Sequence, residues 1–241
     1  MNRTLKVVSA VVLLLFFATG CGKSDGPNEP NVPEEPNNGD TISLDYVDLG
    51  LPSGTLWAIR NLGADSPEDR GDYYAWGETA TKDFYDWKCY KYSTYDKDQY
   101  LLNKYCTNSL MGFDGFVDGL SVLEPVDDAA RAQWGEEWRM PSREEFEELF
   151  QETTWEWTCI NGMDGRLLTG PNGNSIFLPS TGFCLDGEVI CTGLGIYWSN
   201  TLQTECQVAA WSLHFDYENC HVCGTYERSR GQCVRAVRSV K

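Results

Sequence analysis

The apolar positions of this chain change period along its length. Over Ser142–Phe150, residues Phe146, Leu149 and Phe150 fall at i, i+3 and i+4, the repeat of one helical face. Ser142 with Glu145 three residues later is a capping-box signature at the start of that helix. A shorter helix is predicted over Asp127–Trp134, with Asp127 as N-cap before Ala129, Ala130 and Ala132. Beyond Phe150 the pattern becomes alternating or short apolar runs: Trp155–Cys159, Arg166–Thr169, Ser175–Leu178 and Val189–Cys191 read as strands. Asn161-Gly162, Asp164-Gly165, Pro171–Asn174 and Asp186-Gly187 lie between them and carry the residues of tight hairpin turns. Tyr197–Ser199, Ala209–Phe215 and Gln232–Val237 complete the strands.

Before the helices, Tyr46–Ala58 reads as strand, turn and strand about Pro52-Ser53-Gly54, and Gly71–Gly77 as a short aromatic strand or bend. Residues 80–125 are polar and show no period, which predicts a long structured loop; loops of that length are functional or disordered. Central helices with strands on either side define an α+β domain rather than alternating βαβ units.

The N-terminus follows a different grammar. Arg3 and Lys6 precede an apolar run, Val7–Ala18, and then Ala18-Thr19-Gly20-Cys21. A positive head, a short apolar stretch and small residues before a cleavage point mark a secretory signal, here residues 1–20. The small-small-Cys ending resembles the lipobox of bacterial lipoproteins, which implies lipidation of Cys21 and a membrane, expected to be the outer membrane, as its partner. Two or more acyl chains make a stable anchor, each buried CH₂ contributing about 0.8 kcal/mol. Residues 21–41 are rich in Pro, Asn, Gly and acid and form no apolar cluster, so they read as a spacer. Lys23-Ser24-Asp25 resembles the surface-export signals of such lipoproteins. The folded domain is expected over 42–241.

Charge narrows the partners. Loss of Arg3 and Lys6 with the signal moves the formal net charge from −17 to −19. So acidic a chain repels nucleic acid and anionic lipid surfaces. Of 10 cysteines, Cys21 belongs to the anchor and nine remain in the domain. Outside the cytoplasm disulfides are the default, and an odd number leaves at least one thiol over. Cys184 with Cys191, across an expected hairpin, and Cys89 with Cys106, flanking a Tyr-rich loop, are the candidate pairs.

The order YVDLGLPSGTLWA (46–58), DYYAWGE (72–78), DDAARAQWGEEWRMPSREEFEEL (127–149), GPNGNSIFLPSTG (170–182), YWSNTL (197–202) and Gly231-x-x-Val-Arg-Ala-Val resembles the Fibrobacter succinogenes major paralogous domain, over about residues 45–239. Such domains occur in lipoproteins of Bacteroides-like bacteria. The resemblance implies a C-type-lectin-like fold with a central helix pair, antiparallel strands and long loops, related to the formylglycine-generating-enzyme fold. Gly135–Leu149 resembles the Arg-Leu-Pro-Thr-x-x-Glu-Trp helix start of that enzyme group, with Met140 and Phe146 replacing Leu and Trp. Gly231–Arg235 resembles its Gly-Phe-Arg strand, with Gln232 and Cys233 intervening.

A fold hosts many functions, so each candidate site is weighed on its own chemistry. Calcium-binding lectins of this fold use a Glu-Pro-Asn-like loop and a Trp-Asn-Asp strand. Here Trp198-Ser199-Asn200 lacks the acidic residue, and Glu124-Pro125 precedes Val126. Asp114, Asp118 and Asn200, with Asp127 and Asp128, could supply oxygens to calcium; the plainer account is a solvated acidic loop and a helix cap. Tyr73, Tyr74, Trp76, Trp87, Trp155 and Trp157 could stack on sugar rings, or pack as core and sheet aromatics. Cys220-His221-Val222-Cys223 resembles half a zinc site, with His214 and Cys206 available, but extracytoplasmic disulfides account for the cysteines more simply. Leu178-Pro-Ser-Thr-Gly182 matches a sortase sorting sequence, yet folded chain follows it, and it reads as a strand ending in a turn. No His-Glu-x-x-His, Gly-x-Ser-x-Gly or phosphate-cradling loop is present. The expectation is therefore a non-enzymatic, envelope-anchored binding protein for a glycan or surface protein, without a resident cofactor. The second reading is a structural or assembly component of the outer membrane. The third is a metal- or Cys-dependent enzyme.

Overall fold

The computed structural model describes residues 46–97 and 99–239. The expected signal, lipidated Cys21 and spacer lie outside the described residues. Among the described residues, thirteen strands and two α-helices run in the order β1 (Tyr46–Asp48), β2 (Leu56–Ala58), β3 (Ser93–Asp96), β4 (Gln99–Leu102), α1 (Ala129–Trp134), α2 (Arg143–Glu152), β5 (Thr154–Ile160), β6 (Met163–Thr169), β7 (Ser175–Pro179), β8 (Phe183–Leu185), β9 (Glu188–Ile190), β10 (Gly195–Leu202), β11 (Ala209–Phe215), β12 (Cys220–Glu227) and β13 (Val237–Arg238). They form small antiparallel sheets, β1-β2-β13, β5-β6-β7 and β10-β11-β12, with the hairpins β3-β4 and β8-β9. The architecture is α+β.

Local chemistry explains the best-read elements. Ser142 accepts from the Glu145 amide at 3.2 Å, while the Glu145 carboxylate accepts from the Ser142 amide at 2.8 Å, closing the predicted capping box of α2. Arg139 and Thr55 also donate to Glu145. Ser142→Ala should cost about 1 kcal/mol of stability, read by urea denaturation; an unchanged midpoint would show that Arg139 alone holds the helix start. Asn161 and Gly162 (φ 50° and 85°) turn β5 into β6, and Asp186 and Gly187 (φ 50° and 86°) turn β8 into β9. Two positive φ values in succession are what a two-residue hairpin of this hand needs.

Several expectations need correction. Asp164-Gly165 is not a turn but part of β6, paired with Cys159 and Thr158. The cap of α1 is Asp128, whose carboxylate accepts from the Arg131 amide at 3.1 Å, not Asp127. Asp127 is buried and turns the other way: Tyr92, Tyr105 and Lys104 donate to its oxygens at 2.5, 2.7 and 2.5 Å. That carboxylate joins the 80–125 region to the helices. The region is not all loop, since β3 and β4 form a hairpin within it. Gly71–Gly77 contributes a single bridge, Tyr74 to Gln232, and Gln232–Val237 forms a strand only at its end. Strand β12 was not expected at all.

Two aromatic-rich cores lie on either side of the β10-β11-β12 sheet. Tyr197, Leu213 and Phe215 face one, together with Trp57, Phe146 and Leu149. Trp198, Leu202 and Ala210 face the other, with Trp76, Tyr105 and Trp138. Two wholly buried arginines cross-link chain segments far apart in sequence. Arg235 donates to Asn61 Oδ1, Ala58 O and Phe177 O at 2.8, 3.1 and 2.9 Å. Arg228 donates to Tyr105 O and Lys104 O at 2.8 and 3.2 Å and lies over the Trp76 and Tyr90 rings. The Leu178–Gly182 segment is buried throughout, with Tyr197 donating to Pro179 O, so its Thr181-Gly182 bond is closed to a sorting enzyme. No helix among the described residues is long and apolar enough to cross a membrane.

Candidate functional site

The aromatic residues singled out from the sequence separate by burial. Trp76 is wholly buried, its indole donating to Ser199 O, and Tyr74 is nearly so, bonded through its backbone to Gln232. Both are core, which removes them as rings free to stack on a sugar. Trp155 and Trp157 do share one face of β5, but that face packs on the core: Trp155 stands edge-on to Phe215, and Trp157 meets Tyr217 and the Arg166 guanidinium. Trp87 packs against the first core beside Tyr90. Tyr73 borders a groove of about 620 Å³ with Lys82, Asp83, Phe84 and Asp186, although its hydroxyl is already committed to Thr181 O at 2.6 Å.

The calcium candidates do not assemble. Asp118 accepts from the amides of Tyr105, Cys106 and Leu120, at 2.7 to 3.0 Å, and so closes its own loop. The Asn200 carbonyl oxygen accepts from Thr201, and its backbone bonds Pro141 and Leu123. Asp114 is exposed at the left-handed φ of 50° in the 113–115 turn. Calcium needs six to eight converging oxygens; Asp118 is spent on holding its loop, and among the described residues neither Asp114 nor Asp118 belongs to a cluster of converging ligand atoms.

Several exposed apolar side chains lie where no motif pointed. Leu110 is 83% exposed, Tyr95 60% and Phe113 39%, with Phe116 and Val117 beside them. The β3-β4 hairpin and the 108–117 loop are joined by the Leu102 amide donating to Met111 O at 2.8 Å. Asp96, Lys97, Gln99, Leu101, Leu110 and Phe113 line a shallow groove of about 300 Å³ between them. Tyr95 and Tyr100 pair their rings at 4.9 Å along its hairpin side. Sequence reasoning could have found this patch from Leu110, Phe113 and Phe116, apolar residues within a polar, glycine-rich stretch.

All nine cysteines of the described residues are free thiols. The 184–191 hairpin forms, but its two-residue turn sets Cys184 opposite Val189, so Cys191 falls outside the register and the expected pair does not meet. Cys89 is exposed and Cys106 buried, its thiol turned to Asn108 O, so the second pair is not formed either. Burial pushes the thiols of Cys220 and Cys233 up to about 12.

On β11 and β12 the register places His214 directly opposite His221, and Ser212 opposite Cys223. Alternation sends Cys220 and Val222 into the core and His221 and Cys223 to the other face. His214 Nδ1 and His221 Nε2 are 3.1 Å apart, and the Cys223 thiol lies within 4.8 Å of the ligating atoms of both rings. Among the described residues this is the one group of three His, Cys or acidic side chains with converging ligand atoms. Burial, then the neighbouring His221, holds the His214 imidazole below its ordinary range. Comparison with protein-family models, with curated proteins and with solved structures finds no match.

Proposed function

We propose that this chain is a lipid-anchored protein of the cell envelope, held at the outer membrane through Cys21, whose domain binds a protein partner. The observation that carries the reading is the set of exposed apolar side chains Tyr95, Leu110, Phe113, Phe116 and Val117, on the β3-β4 hairpin and the 108–117 loop bonded to it. Contiguous exposed apolar side chains rimmed by polar ones favour a protein surface. A domain of this acidity disfavours an anionic lipid face as the alternative occupant. The resemblance to the major paralogous lipoprotein domains supports the anchoring, and a C-type-lectin-like arrangement of helices and loops fits the α+β architecture. With its committed tryptophans and dispersed acidic groups, the domain offers a glycan less than it offers a protein.

The test replaces Leu110, Phe113 and Phe116 together by Ser in the full chain. Envelope proteins retained by wild type and variant are compared by quantitative mass spectrometry, beside a glycan array with calcium or chelator. A partner retained at least tenfold less by the variant, with a silent array, is the expected outcome. Equal retention of all proteins sinks the patch as the binding surface. Array signal that survives the triple change moves the ligand to a sugar and the site elsewhere.

A further inference from the structure

We propose that His214, His221 and Cys223 form a zinc site, supplying two imidazole nitrogens and one thiolate and leaving a fourth position for water. Neither the protein-binding patch nor the fold accounts for their placement. They stand on the face of β11 and β12 opposite the second core, beside Tyr226 at the margin of the first and within reach of solvent: His221 is exposed and the other two are partly so.

Geometry favours a metal over a chance cluster. Two nitrogens bound to tetrahedral zinc at 2.0–2.1 Å lie about 3.3 Å apart; here the pair stands at 3.1 Å before any ion is added. A zinc-bound sulfur would sit about 3.6 Å from each nitrogen, and the Cys223 thiol, already within 4.8 Å, needs only a small side-chain movement. Cross-strand register fixes the two histidines, so little ordering remains for binding to impose. Without a metal, one of the two facing nitrogens must carry a proton to avoid lone-pair repulsion. An ion in its place lets both act as donors of electron pairs. The remaining nitrogen of His214, Nε2, is buried without a hydrogen-bond partner, and the ring stands edge-on to Tyr226. Zinc is the ion matched by a mixed thiolate–imidazole set with tetrahedral spacing.

The experiment titrates the full chain, kept reduced, with zinc against a chromophoric chelator, and repeats it with His221→Ala, Cys223→Ser and the double variant. Cobalt added in place of zinc reports thiolate ligation by its sulfur-to-metal absorption. One equivalent of zinc, bound at least tenfold more weakly in each variant, and a cobalt–thiolate band lost in Cys223→Ser, is the expected result. Circular dichroism checks that the variants fold. Cys89→Ser with Cys159→Ser, exposed thiols outside the cluster, should leave binding unchanged. Equal zinc affinity in wild type and double variant, no zinc binding at micromolar concentration, or loss of binding in the Cys89/Cys159 control overturns the site. Uptake of copper(I) with no zinc overturns the choice of ion.

Discussion

Replacing Arg235 by Met should lower the unfolding free energy by about 3–5 kcal/mol. The guanidinium is wholly buried and donates to one side-chain oxygen and two backbone oxygens, at Ala58 and Asn61 on one segment and Phe177 on another, joining both to its own. Met fills much of the volume but donates nothing. Each buried acceptor left unpaired costs about 1–3 kcal/mol, because water cannot reach it in the folded state. Removing the charge gives some of this back, since burial disfavours the guanidinium and lowers its pKa to about 10. The loss still wins, because three acceptors are orphaned at once. Urea denaturation measures it. Arg143→Met, on a half-exposed i,i+4 pair with Glu147 whose guanidinium also lies over the Trp211 ring, is the control and should cost about 1 kcal/mol. A midpoint for Arg235→Met as high as that of the control would show that the three segments hold together without it.

Asp127 should give the domain a pronounced acid sensitivity. Burial works against its ionisation, but hydrogen bonds from Lys104, Tyr92 and Tyr105 outweigh that and hold its pKa at about 2. A carboxylate depressed in the folded state contributes stability that is fully present above its unfolded value, about 3.9, and is lost as pH falls through the folded value. Wild type should therefore exceed Asp127→Asn by about 2 kcal/mol at pH 7, and the gap should close between about pH 4 and pH 2. Asp128 runs the other way: burial raises its pKa, so its ionised form costs stability at neutral pH. Comparing the two chains across pH cancels Asp128 and isolates Asp127. A gap unchanged from pH 7 to pH 2 would rule out the charge as its source. Asp127→Ala should cost more, about 3 kcal/mol, since both buried tyrosine hydroxyls lose their acceptor.

How much of this was legible follows from the range of the interactions. The α2 helix could be read because its signals, Ser142, Glu145 and the Phe146–Leu149–Phe150 stripe, lie within nine residues. The Asn161-Gly162 and Asp186-Gly187 hairpins could be read for the same reason. Strand β12 could not: Cys220-His-Val-Cys-Gly-Thr-Tyr-Glu is polar on one face and interrupted by glycine, and it is a strand because β11 offers it an edge. The burial of Trp76 and Tyr74 depends on the chain returning at 228–237, which no local pattern announces. The His214–His221–Cys223 cluster was half visible. All three residues were noted, but only cross-strand register shows that His214 faces His221 while Cys220 and Cys206 stand outside the cluster.

Both β1 and β13 pair with β2, and Arg235 reaches back to Ala58 and Asn61 across more than 170 residues. This closure has a consequence for the order of events in folding. The first strands have no finished sheet, and Ala58 and Asn61 no buried donor, until the last dozen residues of the domain have been made. Local pieces, α2 and the two tight hairpins, can form as the chain emerges, but the long-range contacts that complete both cores come last and slowly. A chain stopped at Gly224 would hold most of its secondary structure and neither of its two arginine cross-links. It would be expected to behave as a collapsed, protease-sensitive intermediate.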